Sequence, residues 1–250
     1  MDLKTSWLTG KTALVTGAAK RIGRATALAL AGRGVNVVIH YRSSEDEAES
    51  VANEVRDTGA KAWTIKANLR EPSEAESLLS HAVEAAGQIQ ILINNASIFT
   101  KSRITDFTVE DLADNVQVNA MTPLLISRSF AAQGCDGAIV NFLDTRLTEY
   151  DADHAAYHLS KRMLFTLTRM MALEFAPVVR VNAVAPGLIL PPPGQDISYL
   201  ENLASTNPLN RIGSPRGITD AVLFLLESEF ITGQVIFVDG GYHIKGYTYG

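Results

Sequence analysis

Lys11-Thr-Ala-Leu-Val-Thr16-Gly17-Ala18-Ala19-Lys20-Arg21-Ile22-Gly23, then a helix-forming run to Arg33 and Val35-Asn-Val-Val-Ile-His40, is the stretch that decides the fold. A short β-rich run, a glycine-bearing turn, an amphipathic helix and a second β-rich run make one β-α-β unit. The same alternation continues outward. Ser44 with Glu47 spells a capping box for a helix reaching about Thr58, and Ala60–Ala67 reads as the third strand. Pro72 and Ser73 with Glu76 open a helix that stops at Gly87, before the strand Ile89–Asn94. Thr108 starts a long helical stretch to about Gln133, Ala138–Leu143 is a strand, and a helix over Ala152–Ala176 precedes the strand Arg180–Ala185. A proline-broken segment from Pro191-Pro-Pro193 to Asn210 follows, then a helix from Ser214-Pro215 and a last strand, Gln234–Val238. Seven strands separated by helix-length segments must pair in parallel through right-handed crossovers. The expected fold is α/β: a single-domain, doubly wound parallel sheet of Rossmann type over residues 1–250, with helices on both faces.

Bulk properties narrow the function. The 250 residues, 46% hydrophobic and 20% charged, suffice for one large α/β domain without staples. A net charge of −5 with no clustered Lys or Arg speaks against nucleic acid. Cys135 is the only cysteine, so no internal disulfide forms and a reducing, cytoplasmic setting is expected. Met1–Gly10 carries Asp2 and Lys4 rather than an apolar core, and no run approaches the ~18 apolar residues of a membrane span. The five histidines (His40, His81, His154, His158 and His243) have no metal-ligand spacing, and no G-x-S-x-G elbow is present.

In a doubly wound sheet, ligands bind beyond the carboxyl ends of the strands, where strand order reverses. The informative residues should follow strands, and they do. Thr16–Gly23 forms a tight turn whose backbone N–H groups and helix N-terminus suit a pyrophosphate. The second strand ends in His40-Tyr41-Arg42-Ser43 rather than in the carboxylate that would meet a ribose 2′-OH. Arg42, with His40 beside it, instead invites a 2′-phosphate, so NADP(H) is the expected cofactor. Tyr157 and Lys161 lie four apart in a helical run, on one face, and a neighbouring cation favours a phenolate. That pair offers acid chemistry.

The glycine-bearing turn, Asn94-Asn95-Ala96, Tyr157-x-x-x-Lys161 and Pro186-Gly187 together resemble the short-chain dehydrogenase/reductase family, in order and spacing, over almost the entire chain. That resemblance implies that Tyr157 donates the proton and that Lys161 binds the nicotinamide ribose and lowers the tyrosine pKa. Asn119, with Asn115 as the alternative, would complete a proton relay. Cofactor contacts are implied for Gly17, Lys20, Arg21, Ile22, Gly23, His40, Tyr41, Arg42, Ser43, Asn68, Leu69, Asn95, Ala96, Ser97, Tyr157, Lys161, Pro186, Gly187 and Ile189. It also implies a homotetramer built partly on the long helices and the C-terminal strand.

Two departures are specific. Thirteen residues before Tyr157 stands Asp144, where most of the family has serine, and Arg21 stands where most has glycine. With Asn95-Ala96-Ser97-x-Phe99 they resemble the pteridine reductases and dihydromonapterin reductases. The resemblance implies a pterin substrate: Phe99 stacking on it, Ser97 and Arg21 touching cofactor and substrate, and Asp144 with Tyr157 at the reacting edge. A flat, donor-rich heterocycle suits an aromatic platform and a carboxylate. Asn68 replaces a common Asp, and Ile189-Leu190 lack the hydroxyl that often binds the nicotinamide carboxamide, leaving backbone groups for that contact. Arg146, Tyr150 and Asp151 lie in the loop before the Tyr157 helix, as solvated charges or as substrate-facing groups. The irregular run 191–210 reads as a substrate lid. The expected activity is NADPH-dependent reduction of a dihydropterin C=N bond. The alternatives are a carbonyl reductase, for example of 3-oxoacyl thioesters, and a non-catalytic NADPH-binding protein.

Overall fold

The computed structural model describes residues 6–192 and 194–247, so the N-terminal reading at Met1–Thr5 and the proline at Pro193 fall outside the described residues. The strands are β1 (Thr12–Val15), β2 (Asn36–Tyr41), β3 (Ala62–Lys66), β4 (Ile91–Asn94), β5 (Gly137–Phe142), β6 (Val179–Pro186) and β7 (Val235–Val238). They form one sheet in the order β3-β2-β1-β4-β5-β6-β7, with every pairing parallel. Strand order reverses between β1 and β4, which places the ligand crevice there.

Strands covered on both faces must be apolar on both, and β1, β4 and β5 are buried at every position. The helices are α1 (Arg21–Ala31), α2 (Glu45–Asp57), α3 (Pro72–Ala86), α4 (Val109–Val116), α5 (Thr122–Ala131), α6 (Ala155–Glu174), α7 (Ile197–Glu201) and α8 (Pro215–Glu227). One core joins α1, α2 and α8 to the sheet through Leu30, Val51, Val55 and Leu226. Leu78, Leu79, Ile126, Phe130 and Met171 of α3, α5 and α6 build the second core on the opposite face. The doubly wound expectation therefore holds, strand by strand.

Local signals fared less evenly. Ser44 occupies the N-cap of α2 without a side-chain bond, because Glu47 turns to Lys20 at 2.7 Å instead of closing a capping box. Helix α3 begins at Pro72 with Glu71 at its N-cap, so Ser73 and Glu76 do not cap it. Thr108 does close a box, with Asp111. The long helical stretch expected from Thr108 runs unbroken from Val109 to Ala131, but within it Gln117–Met121 forms a π-helical turn in which the Thr122 N–H bonds the Gln117 carbonyl. Pro123 explains it, having no N–H to offer the Asn119 carbonyl four residues back. The 191–210 segment is also more ordered than its prolines suggest. It contains α7 with Leu200 buried, a 3₁₀ turn at Ala204–Thr206, and Asn207 Nδ2 bonding the carbonyls of Ala204 and Arg211.

At the end of β6, Gly187 lies against the backbone that follows β7. A Cβ there would stand 2.6 Å from Asp239 Cβ and 2.7 Å from its Cα. Neither atom is the free end of a side chain, so a larger residue has to part the two strand ends. Gly187→Ala is therefore expected to destabilise the fold by about 1–3 kcal/mol, measured as a lowered midpoint in urea unfolding; an unchanged midpoint would contradict this packing.

Candidate active site

The first crossover turn is held on three sides. Thr16 Oγ1 accepts the N–H groups of Asn95 and Ala96, at 3.0 Å each. Asn95 Nδ2 donates back to the carbonyls of Thr16 (2.9 Å) and Gly17 (3.2 Å). The Gly17 N–H donates to His40 Nδ1 at 3.0 Å, and the opposite ring nitrogen of His40 donates to the Ala67 carbonyl at 3.1 Å. Gly17 sits at φ +64°, and a Cβ on Gly23 would come within 2.2 Å of the Gly17 carbonyl oxygen. Only glycine lets the helix start so close to the turn.

These constraints shape a cleft of about 400 Å³ at the β1/β4 switch point. Of the residues expected at the cofactor, Gly17, Lys20, Arg21, Ile22, Gly23, His40, Arg42, Asn68, Leu69, Asn95, Ala96 and Ser97 line it. Arg70, Ile98 and Val118 line it as well, and sequence reasoning missed them. Arg70 was findable, because it follows the third strand by a few residues. Arg42 and Ser43 are exposed beside the cleft, whereas the Tyr41 ring is buried in the core. The Ile189 side chain is likewise buried, and Pro186 and Gly187 close the end of β6 against Asp239. One expectation changes here. His40 is buried and its pKa falls to about 4, because burial penalises the cation more than the bond to Ala67 favours it, so it contributes no positive charge. Arg42, Lys20 and Arg70 carry the charge instead. Arg21, at φ +55°, reaches the Pro191 carbonyl at 2.8 Å and so spans from the turn to the start of the 191–210 segment.

Tyr157 and Lys161 are not among the residues that line this cleft; Tyr157 Oη donates to Asp144 Oδ2 at 2.9 Å, and the Arg146 N–H donates to Asp144 Oδ1 at 2.8 Å. Lys161 Nζ donates to the Phe142 carbonyl at 2.7 Å and lies 5.7 Å from the Tyr157 ring centroid. The tyrosine pKa is raised well above its ordinary value, by burial first and then by the Asp144 charge and hydrogen bond. That reverses the expectation of a phenolate favoured by Lys161: the carboxylate is Tyr157's immediate partner, while the ammonium is turned to a backbone carbonyl. Burial also pulls Lys161 down to about 8, with Asp144 opposing.

Asn119, in the π-helical turn, is fully buried. Its Nδ2 donates to Ser160 Oγ and the Ile98 carbonyl, each at 3.0 Å, and its Oδ1 accepts from the Ile98 N–H and Ser97 Oγ. Asn115 donates its Nδ2 to Thr100 Oγ1 and the Asp111 carbonyl, and its Oδ1 accepts from Asn119 Nδ2 at 3.5 Å. Of the two, Asn119 is the one that joins Ser97 to the helix bearing Tyr157. Phe99 meets Tyr157 edge to face at 4.7 Å. Arg146 and Asp151, read from sequence as loop groups, form a half-buried pair at 2.7 Å next to Asp144. Among the described residues, no group of three or more His, Cys, Asp or Glu is placed to hold a metal, and no helix is long and apolar enough to cross a membrane.

Residues 17–243 match the family model described as Enoyl-(Acyl carrier protein) reductase. The chain is 33% identical to versicolorin reductase stcU of Emericella nidulans, over 94% of this chain and 96% of that one. With the 3-oxoacyl-[acyl-carrier-protein] reductase FabG of Staphylococcus epidermidis it shares 31% identity, over 94% and 99% of the two chains. The structure superposes with a TM-score of 0.88 on FolM alternative dihydrofolate reductase 1 from Brucella canis, complexed with NADP, at 34% identity and 96% coverage of both chains.

The buried, neutral His40 generates a pH prediction. Its folded pKa of about 4 lies below the ~6.5 of an unfolded histidine, so the unfolded chain takes up the proton first as pH falls. Stability due to His40 is intact above about pH 6.5 and is lost toward pH 4, by about 3 kcal/mol in all. Urea unfolding of wild type and His40→Asn between pH 7.5 and 4 should give a shallower decline for the variant, and parallel declines would rule out this role.

Proposed function

We propose that this chain, which belongs to the short-chain dehydrogenase/reductase family, is an NADPH-dependent reductase of a dihydropterin, acting on a ring C=N bond. The reductase level of this reading follows from the family, and the NADP in the Brucella canis relative supports the cofactor. The cleft fits such a cofactor chemically: a turn that excludes a Cβ at Gly23 leaves backbone N–H groups for a pyrophosphate, and Arg42 is exposed where a 2′-phosphate needs a cation. When bound, NADPH supplies the hydride.

The observation that carries the pterin reading is the Tyr157–Asp144 hydrogen bond at 2.9 Å. A ketone oxygen wants neutral donors beside it, and a carboxylate in that place repels the developing oxyanion. A ring nitrogen that must gain a proton as its neighbour gains hydride has the opposite need. Tyr157 keeps its proton at neutral pH because burial and Asp144 hold its pKa high, so it stands ready as the donor. Asp144 accepts from Tyr157 and from the Arg146 N–H, so as a carboxylate it holds the phenol in place and can accept a pterin N–H, while solvent returns the proton that Tyr157 gives up. Phe99, edge-on to Tyr157 and 47% exposed, has surface free for a flat ring. Asn119 holds Ser97 toward this space, and Lys161 is taken to carry the nicotinamide ribose, as the family pattern implies.

The chain works in this reading as one domain, with residues 191–210 as the lid. The Arg21 contact to Pro191 supports a link between lid and phosphate turn. Assembly as a homotetramer is part of the same proposal, supported by the exposed Met170 and Leu173 on α6 and Phe224 on α8. A carbonyl reductase remains the second reading, favoured by the similarity to versicolorin reductase and to the 3-oxoacyl reductase.

Cofactor choice tests the charge on the cleft. Arg42→Ala should weaken NADPH binding by about one to two decades, or about 1.5–3 kcal/mol for a lost charge-assisted contact, with NADH nearly unaffected. Isothermal titration with both cofactors decides it, and equal losses would reject Arg42 as the 2′-phosphate group. Substrate choice tests Asp144. Steady-state kinetics with dihydrobiopterin, dihydromonapterin, dihydrofolate and an acetoacetyl thioester should show pterin turnover in wild type and a loss of about 10²-fold or more in Asp144→Ser, with NADPH binding retained. A wild-type chain that reduces the thioester and ignores every pterin would instead establish the carbonyl reading.

A further inference from the structure

Phe99 is not free on both faces. Its ring stacks on His154 with centroids 3.9 Å apart and planes within 13° of parallel, while Tyr157 meets it edge-on. Two further layers of contact fix this stack. His154 Nδ1 bonds Asp151 Oδ1 at 2.9 Å, and the same carboxylate takes Arg146 on its other oxygen at 2.7 Å. Burial works to raise the Asp151 carboxyl, but the bonds from His154 and the Asp153 N–H, with the nearby charges, outweigh it and hold the pKa at about 2. It is therefore an anion whenever the enzyme works. His158 Nε2 accepts the Asp151 N–H and keeps the loop closed behind it.

The backbone adds a second constraint. Ser102 and His154 form an isolated parallel bridge, with the Ser102 N–H donating to the Asp153 carbonyl and the Ala155 N–H to the Ser102 carbonyl, each at 2.7 Å. Ser102 Oγ also accepts the Ala156 N–H. The segment that carries Phe99 is thus registered against the start of the helix that carries Tyr157. A chain of contacts runs from the ring platform through His154, Asp151 and Arg146 to Asp144, the acceptor of the Tyr157 proton.

We propose that His154, anchored by Asp151, is the positioning residue for Phe99, and that this two-ring stack selects flat conjugated heterocycles over flexible carbonyl substrates. The selectivity rests on the pterin reading above; the positioning does not. One face of Phe99 is spent on His154, so a substrate ring cannot stack there, and the plane of Phe99 is set before binding. Preorganisation of this kind favours a rigid planar ligand, which loses little freedom on stacking, and gives nothing to a flexible chain.

The test uses the full chain with 4-fluorophenylalanine incorporated at position 99, together with kinetics of variants carrying the natural Phe99. In fluorine NMR without substrate, the ring current of His154 should displace the position-99 signal, His154→Ala should return it toward that of a solvent-exposed fluorophenylalanine, and His154→Phe should keep it displaced. A signal unmoved by His154→Ala would overturn the positioning role whatever the substrate. In kinetics, His154→Ala should raise the dihydropterin KM by about two- to tenfold, the scale of one stacked aromatic pair, with kcat within about twofold and the acetoacetyl thioester KM unchanged. His154→Phe should restore the pterin KM and His154→Asn should not, which separates ring stacking from the hydrogen bond to Asp151. An equal KM rise for both substrates would overturn the selectivity. A wild-type chain that reduces no pterin but keeps the fluorine signature would remove both the functional reading and the selectivity, and leave the positioning role standing.

Discussion

The crevice exists because the backbone of the first crossover turn is allowed to come closer to the end of β4 than any side chain would permit. Asn95 donates its amide to the carbonyls of Thr16 and Gly17, and Gly23 gives up its Cβ so that α1 can begin against Gly17. A single Cβ at Gly23 would push these elements apart and close off the N–H groups that a phosphate needs. His40 secures the same turn from β2 by accepting the Gly17 N–H and bonding Ala67 at the end of β3. Three neighbouring strand ends are thereby tied to one loop. The cofactor cleft is the space those ties leave.

The cluster around Tyr157 depends on a different constraint, the satisfaction of buried polar groups. Tyr157, Lys161, Asn119 and Ser160 are all buried, and each has a partner: Asp144, the Phe142 carbonyl, Ser97 with Ile98, and the Tyr157 carbonyl. Satisfaction of that kind fixes side chains within narrow limits, since any displacement would strand a donor or acceptor away from water. The π-helical turn belongs to the same account. The helix widens at Gln117–Met121, where Asn119 bonds the Ser97 loop, and Pro123 removes the N–H that would bond the Asn119 carbonyl in an ordinary α-turn.

Charge is distributed so that the two sides do not compete. Around the cleft the cations are exposed, with Lys20 paired to Glu47 and Arg70 to Asp114. Around Tyr157, Asp144 and Asp151 face one arginine, Arg146, which bonds the first through its backbone N–H and the second through its guanidinium. Arg146 thus links the acid pair to the loop behind the aromatic platform.

The sequence by itself determined the element order, the parallel sheet, the switch-point site and the identity of most cleft residues. These follow from patterns within a few residues of each other: hydrophobic period, turn glycines and positions directly after strands. It also marked Asp144 and Phe99, because departures from a family pattern are visible without coordinates. What it could not determine were states that depend on what lies across the fold. His40 reads as a cation beside Arg42 until the packed strand ends bury it, and burial holds the ring neutral although its bond to the Ala67 carbonyl favours the cation. Lys161 reads as the partner of Tyr157 because four residues separate them on a helix, yet the end of β5 presents the Phe142 carbonyl to the ammonium and the turn after it presents Asp144 to the phenol. Glu47 reads as half of a capping box until α1 brings Lys20 within reach. The stacking of His154 on Phe99 joins residues 55 positions apart. Local spacing decides which elements form, whereas burial and long-range partners decide which protonation state and which contact each side chain takes.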